Sequence, residues 1–153
     1  MRLYHSPTTP FGRKVMVLIL EAGLADEVTV DEGPGNPRDP GTLPVGLNPL
    51  GKIPALVRND GRVIYDSRVI CRYLDDLAGA SLYPDAPYLW DILTLEATAD
   101  GILDAALSMV YEQRMRPEDK RFADWVEGQW AKIARALDSI EADWMAALDG
   151  PLD

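Results

Sequence analysis

Apolar positions fall in short runs through the first half of the chain and at helical spacing through the second. Arg2-Leu3-Tyr4-His5 reads as a short strand, and the loop after it, Ser6 to Gly12, is dense in breakers and hydroxyls. From Pro10 to Ala22 the spacing predicts a helix with Thr9 as N-cap, Pro10 as its first residue and Gly23 as its stop. Val15 to Leu20 are apolar all round, so this helix is expected to bury more than one side. Val28-Thr29-Val30 is a second short strand. Asp31 to Leu47 then carries Gly33, Pro34, Gly35, Pro37, Pro40, Gly41, Pro44 and Gly46, and reads as a long loop of the kind that is usually functional or mobile.

The chain is organised around Asn48-Pro49-Leu50-Gly51-Lys52-Ile53-Pro54-Ala55-Leu56. Pro49 and Gly51 punctuate a loop, and Ile53 to Val57 reads as a buried strand. Pro54 stands at the mouth of that strand, where its missing N–H marks an entry point and where a cis bond is a candidate. Asp60-Gly61 between two apolar runs predicts a hairpin into a strand over Arg62 to Tyr65. Asp66-Ser67 then caps a helix that carries Ile70, Tyr73, Leu74 and Leu77 on one face.

After Ala78 the composition shifts. Ala78 to Pro87 reads as a linker, and no strand signal follows it. Residues 88–115 and 118–148 predict two long amphipathic helices, broken at Arg116-Pro117 and folded back as an antiparallel pair. Trp125, Trp130 and Trp144 are expected to be core aromatics of that pair. The last residues, Gly150 to Asp153, read as a turn. Two helices with such wide apolar faces need further cover, so the helical region is expected to be incomplete, with other helices or a partner chain supplying the rest.

Composition narrows the function classes. A chain of 153 residues suits one ordinary domain or a small domain with a second piece, and its formal net charge of −10 argues against nucleic acid and anionic membrane as partners. The single Cys71 excludes an internal disulfide. With neither a charged head and apolar run at the start nor a bilayer-length stretch, a cytoplasmic protein is expected.

Two blocks in order carry a resemblance. Asn48-Pro-Leu-Gly-Lys-Ile-Pro54-Ala-Leu, followed by Asp66-Ser67-Arg-Val-Ile70-Cys-Arg-Tyr-Leu74, resembles the central blocks of the glutathione transferase superfamily. Thr8-Thr9-Pro10-Phe11-Gly12-Arg13-Lys14-Val15 is similar to the start of its bacterial serine- and cysteine-type members. The resemblance implies an α/β thioredoxin-like N-terminal domain with a mixed four-stranded sheet in the order β-α-β-α-β-β-α, followed by an all-α C-terminal domain, here incomplete. The corresponding expectation for domains is 1–78, a linker over 79–87, and a partial helical domain over 88–153. It also implies a homodimer, a cis Pro54, and glutathione as co-substrate with no metal.

Glutathione carries a thiol, two carboxylates, an amine and two peptide bonds, and the residues offer a partner for each. Ile53 would pair its backbone with the cysteinyl backbone, as in strand addition, at an entry shaped by Pro54. Ser67 would hold the γ-glutamyl carboxylate at a helix N-terminus, and Asp66 would accept from the γ-glutamyl ammonium. Asp66-Ser67 also reads as a plain helix cap. Lys52 would reach the glycyl carboxylate. The thiol would sit at the start of the first helix, beside Phe11 and Thr9, with Thr9 as the catalytic hydrogen-bond donor to the thiolate. Related redox proteins carry a Cys-Pro-Phe-Cys-like turn there; Thr9-Pro10-Phe11-Gly12 has neither cysteine, which argues against disulfide exchange.

Ser6, Thr8 and Tyr4 are rivals to Thr9. His5, the only histidine, is a candidate general base but more simply a satisfied polar residue at a strand end. Cys71 reads as a small buried hydrophobe. Leu103, Leu107 and Tyr111 would line an electrophile site, and Asp100 would reach a γ-glutamyl amine across a dimer interface; packing for the first three and solvent exposure for Asp100 are the plainer readings. The function expected is conjugation of the glutathione thiolate to small hydrophobic electrophiles. A non-catalytic glutathione-binding or regulatory protein is the alternative from another class, and a glutathione-dependent isomerase or dehalogenase shares the same site.

Overall fold

The computed structural model describes residues 1–33, 35–43 and 45–148. Pro34, Pro44 and the turn expected over Gly150 to Asp153 lie outside the described residues. The chain forms two compact units, which divide between Tyr83 and Pro84.

In the first unit, β1 (Arg2–His5) pairs in parallel with β2 (Thr29–Glu32) and antiparallel with β3 (Ala55–Val57). β3 pairs antiparallel with β4 (Val63–Ile64), giving a mixed four-stranded sheet in the order β2-β1-β3-β4. Leu3 stands opposite Leu56, and Leu56 opposite Ile64, so one row of side chains crosses the sheet on a single face. Helices α1 (Pro10–Glu21) and α2 (Ser67–Ala78) cover that face through Val15, Leu18, Ile19, Ile70, Cys71 and Leu74. Leu3, Val15, Leu56, Ile70 and Leu74 have 0% exposure. Each such aliphatic side chain contributes about 1.5–3 kcal/mol by leaving water.

The strand directions bring the chain breaks to one end of the sheet. β1, β2 and β4 all end where β3 begins, so the chain leaves those three and enters β3 at that end. Both helices begin there too, α1 after β1 and α2 after β4. Local signals place them: Thr9 and Pro10 start α1, and Gly23, at φ +69, takes the left-handed backbone that ends it. Gly61, at φ +82, turns the β3–β4 hairpin, while Asp60 Oδ1 accepts from the Arg62 N–H at 3.0 Å.

Several expectations are corrected. No helix forms between β2 and β3 among the described residues, so the observed order is β-α-β-β-β-α. Side chains there capture the backbone instead: Asn36 Oδ1 accepts from the Arg38 and Asp39 amides at 3.0 and 3.1 Å, and Asp39 Oδ1 from Gly41 at 3.0 Å. Pro37 and Pro40 remove two donors that a helix would use. β3 begins at Ala55 rather than Ile53, because Pro54 has no N–H for the ladder. α1 buries one side only, leaving Val17 58% and Leu20 63% exposed.

The first unit runs to Tyr83 because Asp75, near the end of α2, is buried and clasps the chain beyond it. Its Oδ1 accepts from the Leu82 N–H at 2.8 Å and its Oδ2 from the Tyr83 N–H at 3.3 Å.

In the second unit, α3 (Tyr88–Met115) packs against α4 (Ala123–Asp143). The single helix expected over 118–148 is divided: a 3₁₀ turn spans Glu118–Lys120, α4 comes next, and α5 covers Met145–Leu148. Extended backbone at Phe122 delays the start of α4. Ala105 and Ile133 are buried, whereas Trp125 and Trp130 are exposed and Trp144 half-buried, so the tryptophans are not core residues as expected. No helix among the described residues is long and apolar enough to cross a membrane.

Glu112 joins the two long helices. Buried on α3, it accepts from the Phe122 N–H at 2.9 Å and from Arg116 Nε at 2.8 Å. The Phe122 amide, and then Arg116 and Arg121, hold its pKa below the ordinary 4.5 against the effect of desolvation. A carboxyl depressed on folding stabilises above its unfolded pKa, and that contribution is lost as pH falls from about 4.5 through the folded value. Glu112→Gln should therefore lower the urea midpoint at pH 7. The difference from the parent protein should shrink on acidification through that window.

Candidate functional site

The end of the sheet where strands finish and helices begin gathers most of the residues singled out by sequence. Thr9 leaves β1 in extended backbone (φ −87°, ψ +124°) and caps α1 by position, its C=O accepting from Arg13 at 3.1 Å. Its hydroxyl makes no capping bond. The rivals Ser6 and Thr8 lie in the same loop, and Tyr4 lies on β1. Ser6 Oγ and Thr8 Oγ1 are hydrogen-bonded to each other at 3.0 Å, and the Tyr4 side chain serves Arg2, whose pKa it raises together with the Asp31 carboxylate. Phe11 follows Pro10 in the first turn and is half-buried. The first-turn amides of a helix have no carbonyl behind them, so this turn presents free donors and the positive end of α1.

Across from it, the Ile53–Pro54 bond is cis, and Pro54 is buried. The β1–β3 ladder ends at the Tyr4–Ala55 pair, which leaves Ile53 beyond the ladder and half-buried. Lys52 is exposed. Asp66 caps α2, its Oδ1 accepting from the Arg68 N–H at 3.1 Å, and it is exposed; Ser67, the first helical residue, is only 3% exposed. The cap bond uses one carboxylate oxygen of Asp66, so capping and a second polar contact are compatible.

Asn48 has no role assigned by sequence reasoning, yet it holds this loop together. It is 1% exposed, its Nδ2 donates to the Lys52 carbonyl at 2.8 Å, and its Oδ1 accepts from the Leu50 N–H at 3.0 Å. Its own carbonyl accepts from Gly51 at 2.9 Å, where φ is +59°. Asn before Pro-x-Gly is the available signal, since Asn side chains bond to backbone two residues on.

His5 departs from the satisfied polar residue expected at a strand end. It is buried at the end of β1, and its pKa is lowered, chiefly by desolvation, against an opposing effect of Glu32 on the neighbouring strand. A cavity of about 270 Å³ opens beside it, lined by residues that include Tyr4, His5, Glu32, Gly33, Thr42 and Ile53. Cys71 is 1% exposed within the α1–α2 core, as expected of a small buried hydrophobe.

The remaining residues lie in the second unit. Asp100, Leu103, Leu107 and Tyr111 succeed one another along α3 at helical spacing. Leu103, Leu107 and Tyr111 are half-buried. Asp100 is 1% exposed, so it is buried rather than solvent-facing.

The family profile described as "Glutathione S-transferase, N-terminal domain" matches residues 8–77. The GST-like protein YibF of Escherichia coli (strain K12) is 40% identical over 143 residues, covering 92% of this chain and 68% of that protein. The chain belongs to the glutathione transferase superfamily. Glutathione S-transferase L1 of Arabidopsis thaliana is 30% identical over 159 residues, covering 98% of this chain and 57% of that protein. A crystal structure of a glutathione transferase family member from Pseudomonas fluorescens Pf-5, with bound glutathione, superposes with a TM-score of 0.95 at 44% identity, covering 99% of this chain and 75% of the other. The mixed sheet with its two helices is thus the thioredoxin-like N-terminal domain of the glutathione transferase superfamily, joined to a helical region.

Within this transferase-superfamily domain, the loop from Asn48 to Pro54 depends on one buried amide. Asn48→Ala should strand the Lys52 carbonyl and the Leu50 amide and lower stability by about 1–3 kcal/mol. Denaturant unfolding measures the loss, and limited proteolysis should find new cleavage between Pro49 and Lys52. Asn48→Asp should not recover it, because its second oxygen would face the Lys52 carbonyl with no proton between them.

Proposed function

We propose that the chain is a glutathione transferase that conjugates the thiolate of glutathione to small hydrophobic electrophiles. The observation that carries this reading is the convergence, at one end of the sheet, of three features: the Thr9 hydroxyl without a capping bond, Ile53 beyond its ladder at a cis-proline, and Ser67 at the start of α2. The glutathione bound to the relative from Pseudomonas fluorescens supports the choice of ligand.

An extended tripeptide would use each feature. Its cysteinyl backbone would pair with Ile53 as an added strand, with Pro54 shaping the entry. Its γ-glutamyl carboxylate would lie at the amide of Ser67, where the α2 dipole favours an anion, and Asp66 would take the ammonium on its remaining oxygen. Lys52, exposed on the loop that Asn48 braces, would meet the glycyl carboxylate. The thiol then falls at the start of α1, beside Thr9 and Phe11.

A thiol of pKa about 8.5 is mostly protonated at pH 7, and only its thiolate attacks efficiently. The Thr9 hydroxyl donates to the sulfur, and the free amides of the first turn add positive potential. The proton leaves to solvent, and the thiolate displaces or adds to the electrophile. The functional form is a homodimer, and detoxification of small reactive compounds in the cytoplasm is the role that fits.

Isothermal titration calorimetry with glutathione, combined with a conjugation screen over small electrophiles, tests this function. Binding with turnover supports it; binding without turnover over the whole screen identifies a glutathione-binding protein instead; no binding refutes both. Thr9→Ala should lower kcat about ten- to hundredfold, the worth of one hydrogen bond to an anion, with little change in glutathione affinity. An equal loss of affinity and kcat would make Thr9 a binding residue.

A further inference from the structure

His5 and Thr9 both lie against the start of α1 at Gly12, and nothing in the proposed reaction uses His5. The ring is 5% exposed, and its Nδ1 is buried without a hydrogen-bond partner among the described residues. Desolvation lowers its pKa, so the imidazole is neutral at pH 7. A buried nitrogen without a partner costs free energy that an aliphatic or phenyl ring would not, and its presence calls for a reason.

Gly12 shows where that nitrogen sits. A Cβ placed on Gly12 would overlap His5 Nδ1 and would lie 2.7 Å from Thr9 Cγ2. The imidazole edge and the threonine methyl therefore share one hollow over the bare Cα of Gly12. Threonine is branched at Cβ, so seating its methyl fixes χ1 and with it the direction of the hydroxyl. With the methyl in the hollow, the hydroxyl on the same Cβ takes another direction. A serine would have no such methyl, and its Oγ could turn into the hollow and satisfy the buried nitrogen.

We propose that His5 is a positioning residue for Thr9: with Gly12 it seats the Thr9 methyl and keeps the hydroxyl aimed at the thiol. The inference rests on the glutathione reading for the identity of that thiol. It gives threonine, rather than serine, a specific task at this position.

The test measures the pKa of the thiol of bound glutathione from its thiolate absorbance across pH, in the parent protein and in Thr9→Ser, His5→Leu and the double variant. Calorimetry at pH 7 gives glutathione affinity in parallel. Thr9→Ser should raise the apparent pKa of the bound thiol by about 0.5 to 1, equivalent to a three- to tenfold loss of thiolate and the size expected when a rotamer is no longer held. Affinity should stay within about twofold, a split that general loosening of the fold would not give. His5→Leu should raise the thiol pKa in the threonine protein, yet in the Thr9→Ser background it should cost nothing further, because no methyl is left to seat.

Thr9→Ser indistinguishable from the parent would overturn the proposal, and this variant does not depend on how well His5→Leu folds. Additive effects of the two substitutions would overturn it as well. So would a parent protein that binds glutathione with an unshifted thiol. A parent protein that binds no glutathione sinks the glutathione reading itself, and the assignment to its thiol falls with it.

Discussion

The pairing of Leu3 with Leu56 across β1 and β3 is the constraint on which the site depends. Both side chains are fully buried under α1 and α2, so a slip of one residue would turn each to the opposite face. With the register held, His5 falls on the same face as Leu3 and under α1, Tyr4 pairs with Ala55, and Ile53 runs past the end of the ladder. A hydrophobic requirement in the middle of the sheet thereby sets the backbone positions at its edge.

Buried polar groups do comparable work in the loops. Asn48 and Asp75 are small polar residues, almost fully buried, that direct their hydrogen bonds to backbone a few residues away. One braces the approach to the cis-proline; the other folds the chain after α2 against its own helix. Neither is placed to meet a ligand directly. Each replaces secondary structure where the chain has none, and so allows irregular backbone to hold a defined shape.

What could be read from the sequence was local. The start of α1 needed only Thr9 and Pro10, its end only Gly23, the hairpin only Asp60-Gly61, and the cap of α2 only Asp66. Each signal acts over two to four residues, and each is found in the structure. What could not be read depends on distant partners. His5 is buried because strand register brings it under Gly12, and Asn48 finds the Lys52 carbonyl only once the loop closes. The segment after β2 gave the opposite difficulty: the resemblance implied a helix, while its prolines and side-chain turns compete with one. Trp125 and Trp130 have helical spacing suited to a core, but spacing alone does not say how much neighbouring surface covers a face.

The hollow over Gly12 also bears on the chemistry this domain can acquire. Thr9-Pro10-Phe11-Gly12 differs by two side chains from a dithiol turn, and cysteines at both ends would make the difference formally small. The second of those cysteines has no room. Its Cβ would stand where the His5 imidazole already lies, so a redox pair could be built only by first replacing the histidine and repacking the end of β1. A second cysteine is excluded by shape rather than by electronics, and a single ring on a neighbouring strand is what excludes it.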